Sequence, residues 1–246
     1  MSIVLSLRFL SGRYHATPWD RHPNEGATEW PPSPWRLLRA LVAAAFRADG
    51  TPDRDVLCRV VGALSETPVF RTPAATTAHT RSFLPQYKEG DTAMVLDAFV
   101  VVGLGGGDES ANVEIEWRDA QLDESDLLAL DRWLESLGYL GRAESWVEGR
   151  RVTRGAFAPN VAPMEPTDFA AHSARVLAPR HSPDVVTSSE LLAALCQDTS
   201  MLFKDGLSEP RCSRWQSYRF DTDPFLTSGR REESRRPDVK NGSVSN

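Results

Sequence analysis

Ser33–Gly50, SPWRLLRALVAAAFRADG, decides how this chain is read. Ser33 is a strong N-cap, and Pro34 suits the first helical position, where a missing N–H removes no hydrogen bond. Leu37, Leu38, Leu41, Val42 and Ala45 recur at helical spacing and predict one apolar face, with Arg36, Arg39 and Arg47 on the opposite side. The helix should end near Asp49–Gly50. Upstream, Ile3–Phe9 (IVLSLRF) alternates, Ile3, Leu5, Leu7 and Phe9 against Val4, Ser6 and Arg8, which predicts a strand with one buried face. A loop punctuated by Pro and Trp, GRYHATPWDRHPNEGATEWPP, joins the two.

Downstream, Val69–Tyr87 reads as extended, interrupted by the mobile excursion TPAATTAHT. Met94–Val102 is a second strand, and its apolar end predicts burial on both faces. The loop GLGGGDES leads to a short alternating strand, Val113–Trp117. Asp123 caps a helix to Leu137 with Leu127, Leu130, Leu134 and Leu137 as its inner stripe and Gly138 as its stop. Trp146–Val152 is the next strand, and Thr187 with Glu190 forms a capping box for a helix to about Gln197. This order predicts an α+β fold over residues 1–155, a ferredoxin-like (RNA-recognition-motif-like) sandwich of an antiparallel sheet and two helices. A loop-rich extension follows over 156–227. Residues 228–246, with only Val239 and Val244 as sizeable apolar groups, are expected to be a disordered tail or linker.

Composition sets the outer limits. Of 246 residues, 41% are hydrophobic and 25% charged, which excludes wholesale disorder, and 16 Gly with 17 Pro exclude a collagen-like chain. No apolar run approaches the roughly 20 residues of a membrane-spanning helix, and Arg8 breaks the only N-terminal stretch that could pass for a signal peptide. Cys58, Cys196 and Cys212 are odd in number and far apart, so neither a disulfide framework nor a zinc knuckle fits, and a reducing, cytoplasmic setting is expected. The formal net charge is −6, yet Asp108–Glu135 holds ten acids against two arginines, so the rest of the chain is slightly basic. A local basic groove is compatible with that distribution.

The glycine loop at 103–108 lacks the helix and the Gly-Lys-Ser/Thr of a phosphate-binding loop, and acids follow it; it reads as a turn. His15 and His22, with Asp20 and Glu25 nearby, match no common ligand spacing, so neither a metal nor another cofactor is expected. More informative is the interleaving of aromatic and basic residues: Arg13-Tyr14-His15, Trp19-Asp20-Arg21-His22, Arg81-Ser82-Phe83 and Tyr87-Lys88. Single-stranded RNA is held by this pairing, flat side chains stacking on unpaired bases and cations meeting phosphates. The same residues could equally cover the sheet, with Tyr14, Trp19, Trp30 and Phe83 as core; spacing alone leaves both readings open.

LRFLSGRYHATPWDRHPNEGATEWPPSPWRLLRAL resembles the start of the type I-U (I-G) CRISPR subunit in which a Cas-five module is fused to a Cas-six module. PPSPWRLLRAL is similar to the proline-rich turn and first helix of Cas-five proteins. LGYLGRAESWVE, residues 137–148, resembles their second signature, and TRSFLPQYKEGDTAMVLDAFVVVG the segment after the family's thumb. The match spans about residues 1–155. It implies a fold of the repeat-associated (RAMP) superfamily and a subunit of a crRNA-guided surveillance (Cascade) complex in antiviral defence. Such a subunit caps one end and holds the 5′ handle of the crRNA. Its implied partners are that handle, the Cas-seven-type backbone and large subunits, and target DNA through the assembled complex, with no membrane. Ser33, Arg36 and Arg39 would face the handle, Arg142 and Ser145 would lie close by, and Arg71–Tyr87 would supply the thumb. The fused family is longer, so a complete cleavage module is not expected within these residues.

The second function considered is a metal-independent endoribonuclease acting on repeat RNA. It would draw its acid and base from Tyr14, His15, His22, His79 and Lys88, with a cation for the phosphorane also required. The third is a protein–protein adaptor with no RNA contact.

Overall fold

The computed structural model describes residues 2–85, 92–103, 109–153, 157–165, 167–168, 170–180 and 186–226. In chain order these form β1 (Ile3–Phe9), β2 (Arg13–Tyr14), α1 (Pro34–Asp49), α2 (Arg54–Ala63), β3 (Val69–Arg71), β4 (Ala75–Pro85), β5 (Thr92–Val102) and β6 (Val113–Trp117). They continue with α3 (Glu124–Glu135), β7 (Val147–Arg151), β8 (Val161–Met164), β9 (Ser173–Pro179), α4 (Ser188–Cys196), α5 (Thr199–Lys204) and β10 (Ser213–Phe220).

The larger sheet has the order β7-β1-β6-β3-β8-β10-β9, and its pairings are antiparallel. Its first four strands alternate in the chain with α1 and α3 as two split βαβ units, which is the ferredoxin-like arrangement that the order of elements predicts. Leu5, Leu7, Ile115 and Phe70 line the inner face, all within 1% of full burial, against Leu37, Leu38, Leu130 and Trp133 of the helices. Each fully buried side chain of this kind contributes roughly 1.5–3 kcal/mol. The side chain of Ser33 caps α1, that of Asp123 caps α3, and Thr187 with Glu190 makes a reciprocal capping box on α4, as their local sequences predict. The face of α3 differs in detail. The helix ends at Glu135, and Ala129 and Trp133 fill positions in the stripe while Leu127 stays half-buried.

A second, three-stranded sheet runs β2-β5-β4. The stretch TPAATTAHT, expected to be a mobile excursion, is mostly regular strand, because β4 pairs with β5 from Ala75↔Val102 to Pro85↔Thr92. Val69–Pro85 thus holds two strands in two different sheets. Asn160 clamps the break: its Oδ1 accepts from the Thr72 N–H at 2.8 Å and its Nδ2 donates to the Thr72 carbonyl at 2.8 Å. The apolar end of β5 is buried, with Ala98 and Phe99 under 9% and Val100 at 0% exposed.

Two differences from expectation lie elsewhere. No element is expected between Asp49 and Val69, but α2 stands there, capped by Asp53 and burying Leu57, Val60 and Val61. At Gly62 a Cβ would fall 2.5 Å from Ser188 Oγ and 3.4 Å from its Cβ, so a larger residue there would have to turn the Ser188 hydroxyl aside where α2 meets α4. Beyond residue 156, expected to be loop-rich, β8, β9 and β10 extend the same large sheet, joined to it where Phe70 pairs with Val161. Most of the glycine loop, the 86–91 connection with Tyr87 and Lys88, His181 and the 228–246 tail lie outside the described residues.

Candidate nucleic-acid interface

The loop between β1 and α1 folds back so that one carboxylate, Glu29, meets four donors. Tyr14 Oη donates to its Oε1 at 2.5 Å and the Ser33 N–H at 3.1 Å. Arg36 donates from Nε to Oε1 at 2.9 Å and from Nη2 to Oε2 at 3.0 Å, and Nη2 also reaches the Thr17 carbonyl at 2.9 Å. Glu29 is 4% exposed, so this is a buried, bidentate ion pair, worth little beyond a well-packed apolar alternative but destabilising if one partner is removed. Burial and then the Glu29 charge push the Tyr14 phenol well above its ordinary pKa. Ser33 Oγ accepts from the Arg36 N–H at 3.3 Å and donates to the Leu177 carbonyl of β9 at 2.6 Å, tying the helix start to the C-terminal strands.

One helical turn further on, Arg39 is half-buried and has no hydrogen-bond or ion-pair partner among the described residues. Burial and then the neighbouring Arg36 cation pull its pKa down, while Asp198 acts the other way. Arg39 lines a cavity of about 360 Å³ together with Arg36, Glu29, Trp19, Trp35, Tyr139 and Gly141. Both stretches that resemble Cas-five signatures therefore wall one cavity.

The second stretch is locked beneath it. Gly141 has φ +93°, and a Cβ there would meet the His15 carbonyl oxygen at 2.5 Å. That same oxygen accepts from the Arg142 N–H at 2.8 Å, and the His15 N–H donates to Ser145 Oγ at 2.8 Å. His15 Nδ1 lies 2.5 Å from Glu144 Oε1, and Asp97 Oδ1 of β5 takes Arg142 Nη1 at 2.7 Å and stands 3.9 Å from His15 Nε2. Burial works to raise the Glu144 pKa, but its own backbone N–H, His15 and Arg142 outweigh it and hold the carboxyl below its ordinary range.

The residues singled out from sequence fall into separate groups. Tyr14, His15, Ser33 and Ser145 are buried and bonded to protein. Arg36, Arg39 and Trp19 share the cavity, and Trp19 Nε1 donates to the Ser208 carbonyl. Arg142 lies beside it in sequence and is paired to Asp97. The Arg13 guanidinium stacks on Phe99 at 3.9 Å. Arg21 pairs with Glu25 at the surface, and the His22 ring caps the short turn after it. Arg71 is bound to the buried Glu114 at 2.8 Å. His79, Arg81 and Phe83 stand along exposed β4, on the same face of the strand. Of the four aromatics with two open readings, Tyr14 and Trp30 are core, while Phe83 is 64% exposed. Of the acid–base candidates, Tyr14 and His15 are chain neighbours and both buried, His22 caps a surface turn and His79 stands on β4.

Sequence reasoning passed over Glu29, Asp97, Tyr139 and Trp146. An acid set between aromatics and prolines, as in Glu29-Trp30-Pro31-Pro32, was the available signal for the first. Among the described residues no group of three or more His, Cys, Asp or Glu is placed to hold a metal ion, and no helix is long and apolar enough to cross a membrane. No family model and no curated protein matches the chain. Among solved structures, the chain is similar to the crystal structure of a CRISPR protein from Archaeoglobus fulgidus, with 10% identity and a TM-score of 0.43 over 92% of this chain and 89% of that one.

Proposed function

We propose that this protein is an RNA-binding, non-catalytic subunit of a CRISPR crRNA-guided surveillance complex, holding the 5′ handle of the crRNA and contacting neighbouring backbone and large subunits. The observation that carries this reading is Arg39, a half-buried cation with no hydrogen-bond or ion-pair partner among the described residues, in a cavity lined also by Trp19 and Tyr139. A cation held ready beside aromatic walls suits a phosphate with its unstacked base. The Cas-five resemblance of the sequences that line the cavity supports the same assignment. The hairpin β4–β5 projects Phe83, Leu84 and Met94, each more than half exposed, and is the arm that would meet a neighbouring subunit.

Incubating the protein with labelled repeat RNA, with and without EDTA and beside a scrambled RNA, tests this directly. The expected result is a shift that prefers the repeat and leaves the RNA whole. Equal shifts for both RNAs, or none, would remove the handle reading, and specific cutting that survives EDTA would replace it with the endoribonuclease.

A further inference from the structure

We propose that Tyr139 and Trp146 form an exposed cross-strand aromatic pair on which an unpaired nucleobase stacks, Tyr139 also lining the Arg39 cavity; this rests on the RNA-binding reading above. The two residues are opposite each other in a single antiparallel bridge. The Leu140 N–H donates to the Ser145 carbonyl at 3.1 Å, and the Val147 N–H to the Gly138 carbonyl at 3.1 Å. Those bonds flank the pair instead of joining it, so it is of the closer, non-hydrogen-bonded kind, with Cα atoms about 4.5 Å apart and side chains on one face.

Cross-strand aromatic pairs ordinarily contribute by being covered. Here Tyr139 is 44% and Trp146 60% exposed, and Leu10, whose N–H donates to the Trp146 carbonyl at 2.9 Å, is 49% exposed beside them. The turn beneath is over-determined by Gly141 and the His15–Ser145 and His15–Arg142 backbone bonds, so the rings are presented by a rigid support. One adjacency chooses nucleic acid over a protein as the occupant. Tyr139 lines the same cavity as Arg39, which makes no hydrogen bond or ion pair among the described residues, so aromatic surface and an unbonded guanidinium are adjacent. Arg36 and Glu29 line that cavity as well, paired with each other. A base on the rings would bring its phosphate toward Arg39, the combination by which single strands are held without a base-specific code.

The test measures the affinity of labelled repeat RNA for the unaltered protein, Trp146→Phe, Trp146→Leu and Arg39→Ala. It adds an RNA series with one abasic site moved along the 5′ handle. Trp146→Leu keeps apolar area but removes the π-face, and should weaken binding about 5- to 100-fold while Trp146→Phe keeps most of it. One abasic position should show the same loss and be insensitive to Trp146→Leu. Both substitutions are at an exposed site, so unchanged melting temperatures verify the fold. If Trp146→Leu binds every RNA as the unaltered protein does while Arg39→Ala weakens it, the platform is wrong and the RNA reading stands. If the unaltered protein binds no repeat RNA, the RNA reading fails and the platform with it. An affinity that survives both Trp146→Leu and Arg39→Ala would place the RNA elsewhere on the protein and overturn the proposal.

Discussion

Arg36 and Arg39 sit one turn apart on the same helix and were alike in sequence, yet they hold opposite positions in the structure. Arg36 makes three side-chain hydrogen bonds, two to Glu29 and one to the Thr17 carbonyl. Arg39 has no partner among the described residues and lines the cavity with Trp19 and Tyr139. Charge on a helix face is therefore no guide to its use. A cation whose hydrogen bonds are already satisfied by protein is holding the fold, and a neighbour left unsatisfied beside it is the one available to a ligand.

The largest effect expected from that contrast falls on the Glu29 side. Glu29→Ala would leave the Arg36 guanidinium and the Tyr14 hydroxyl without their acceptor in a buried setting, and should destabilise the protein by about 3–5 kcal/mol in urea unfolding. A change below about 1 kcal/mol would show that Arg36 swings out to solvent, and the two arginines would then be equivalent. Gly141→Ala comes next, because it combines a left-handed backbone with a collision at the His15 carbonyl oxygen; a loss of about 1–3 kcal/mol is expected. Its RNA affinity should fall with it, since the same turn presents Tyr139 to the cavity.

A smaller, pH-dependent effect sharpens the picture of the support beneath. The Glu144 carboxyl is held below its ordinary pKa in the folded protein, so its contribution is present above the unfolded-state value and lost as pH falls through the folded one. Glu144→Gln should lower the urea midpoint at pH 7, and the gap to the unaltered protein should close below about pH 3. A gap of constant size across that range would mean that the His15–Glu144 contact acts by shape alone.

What was legible in the sequence was local. Ser33, Asp123 and Thr187 act on donors three residues away or nearer, so the caps of α1, α3 and α4 could be read directly, whereas β1, read as having one buried face, buries Val4 and Ser6 on the other face as well. The helix α2 carried a comparable signal in Asp53, whose carboxylate takes the Asp55 and Val56 N–H groups, but its interior is rich in valine, which reads as strand. The C-terminal strands were harder to find. β8 contains Pro163, and β10 mixes Arg214 and Arg219 with its buried Tyr218 and Phe220, so their pairing depends on strands far away in the chain. The site was legible in residue types and illegible in arrangement. Tyr14 and Glu29 meet across 15 residues of loop, and His15 and Ser145 across 130, separations over which no pattern in one sequence records contact.

The contrast between the two arginines is tested most directly by RNA affinity at several salt concentrations for the unaltered protein and Arg39→Ala. Removing one phosphate contact from a single strand should weaken binding to repeat RNA several-fold and reduce the slope of log K against log salt by about 0.7, with the melting temperature unchanged. An Arg39→Ala protein with the affinity and the salt slope of the unaltered one would contradict the assignment of this cavity to RNA.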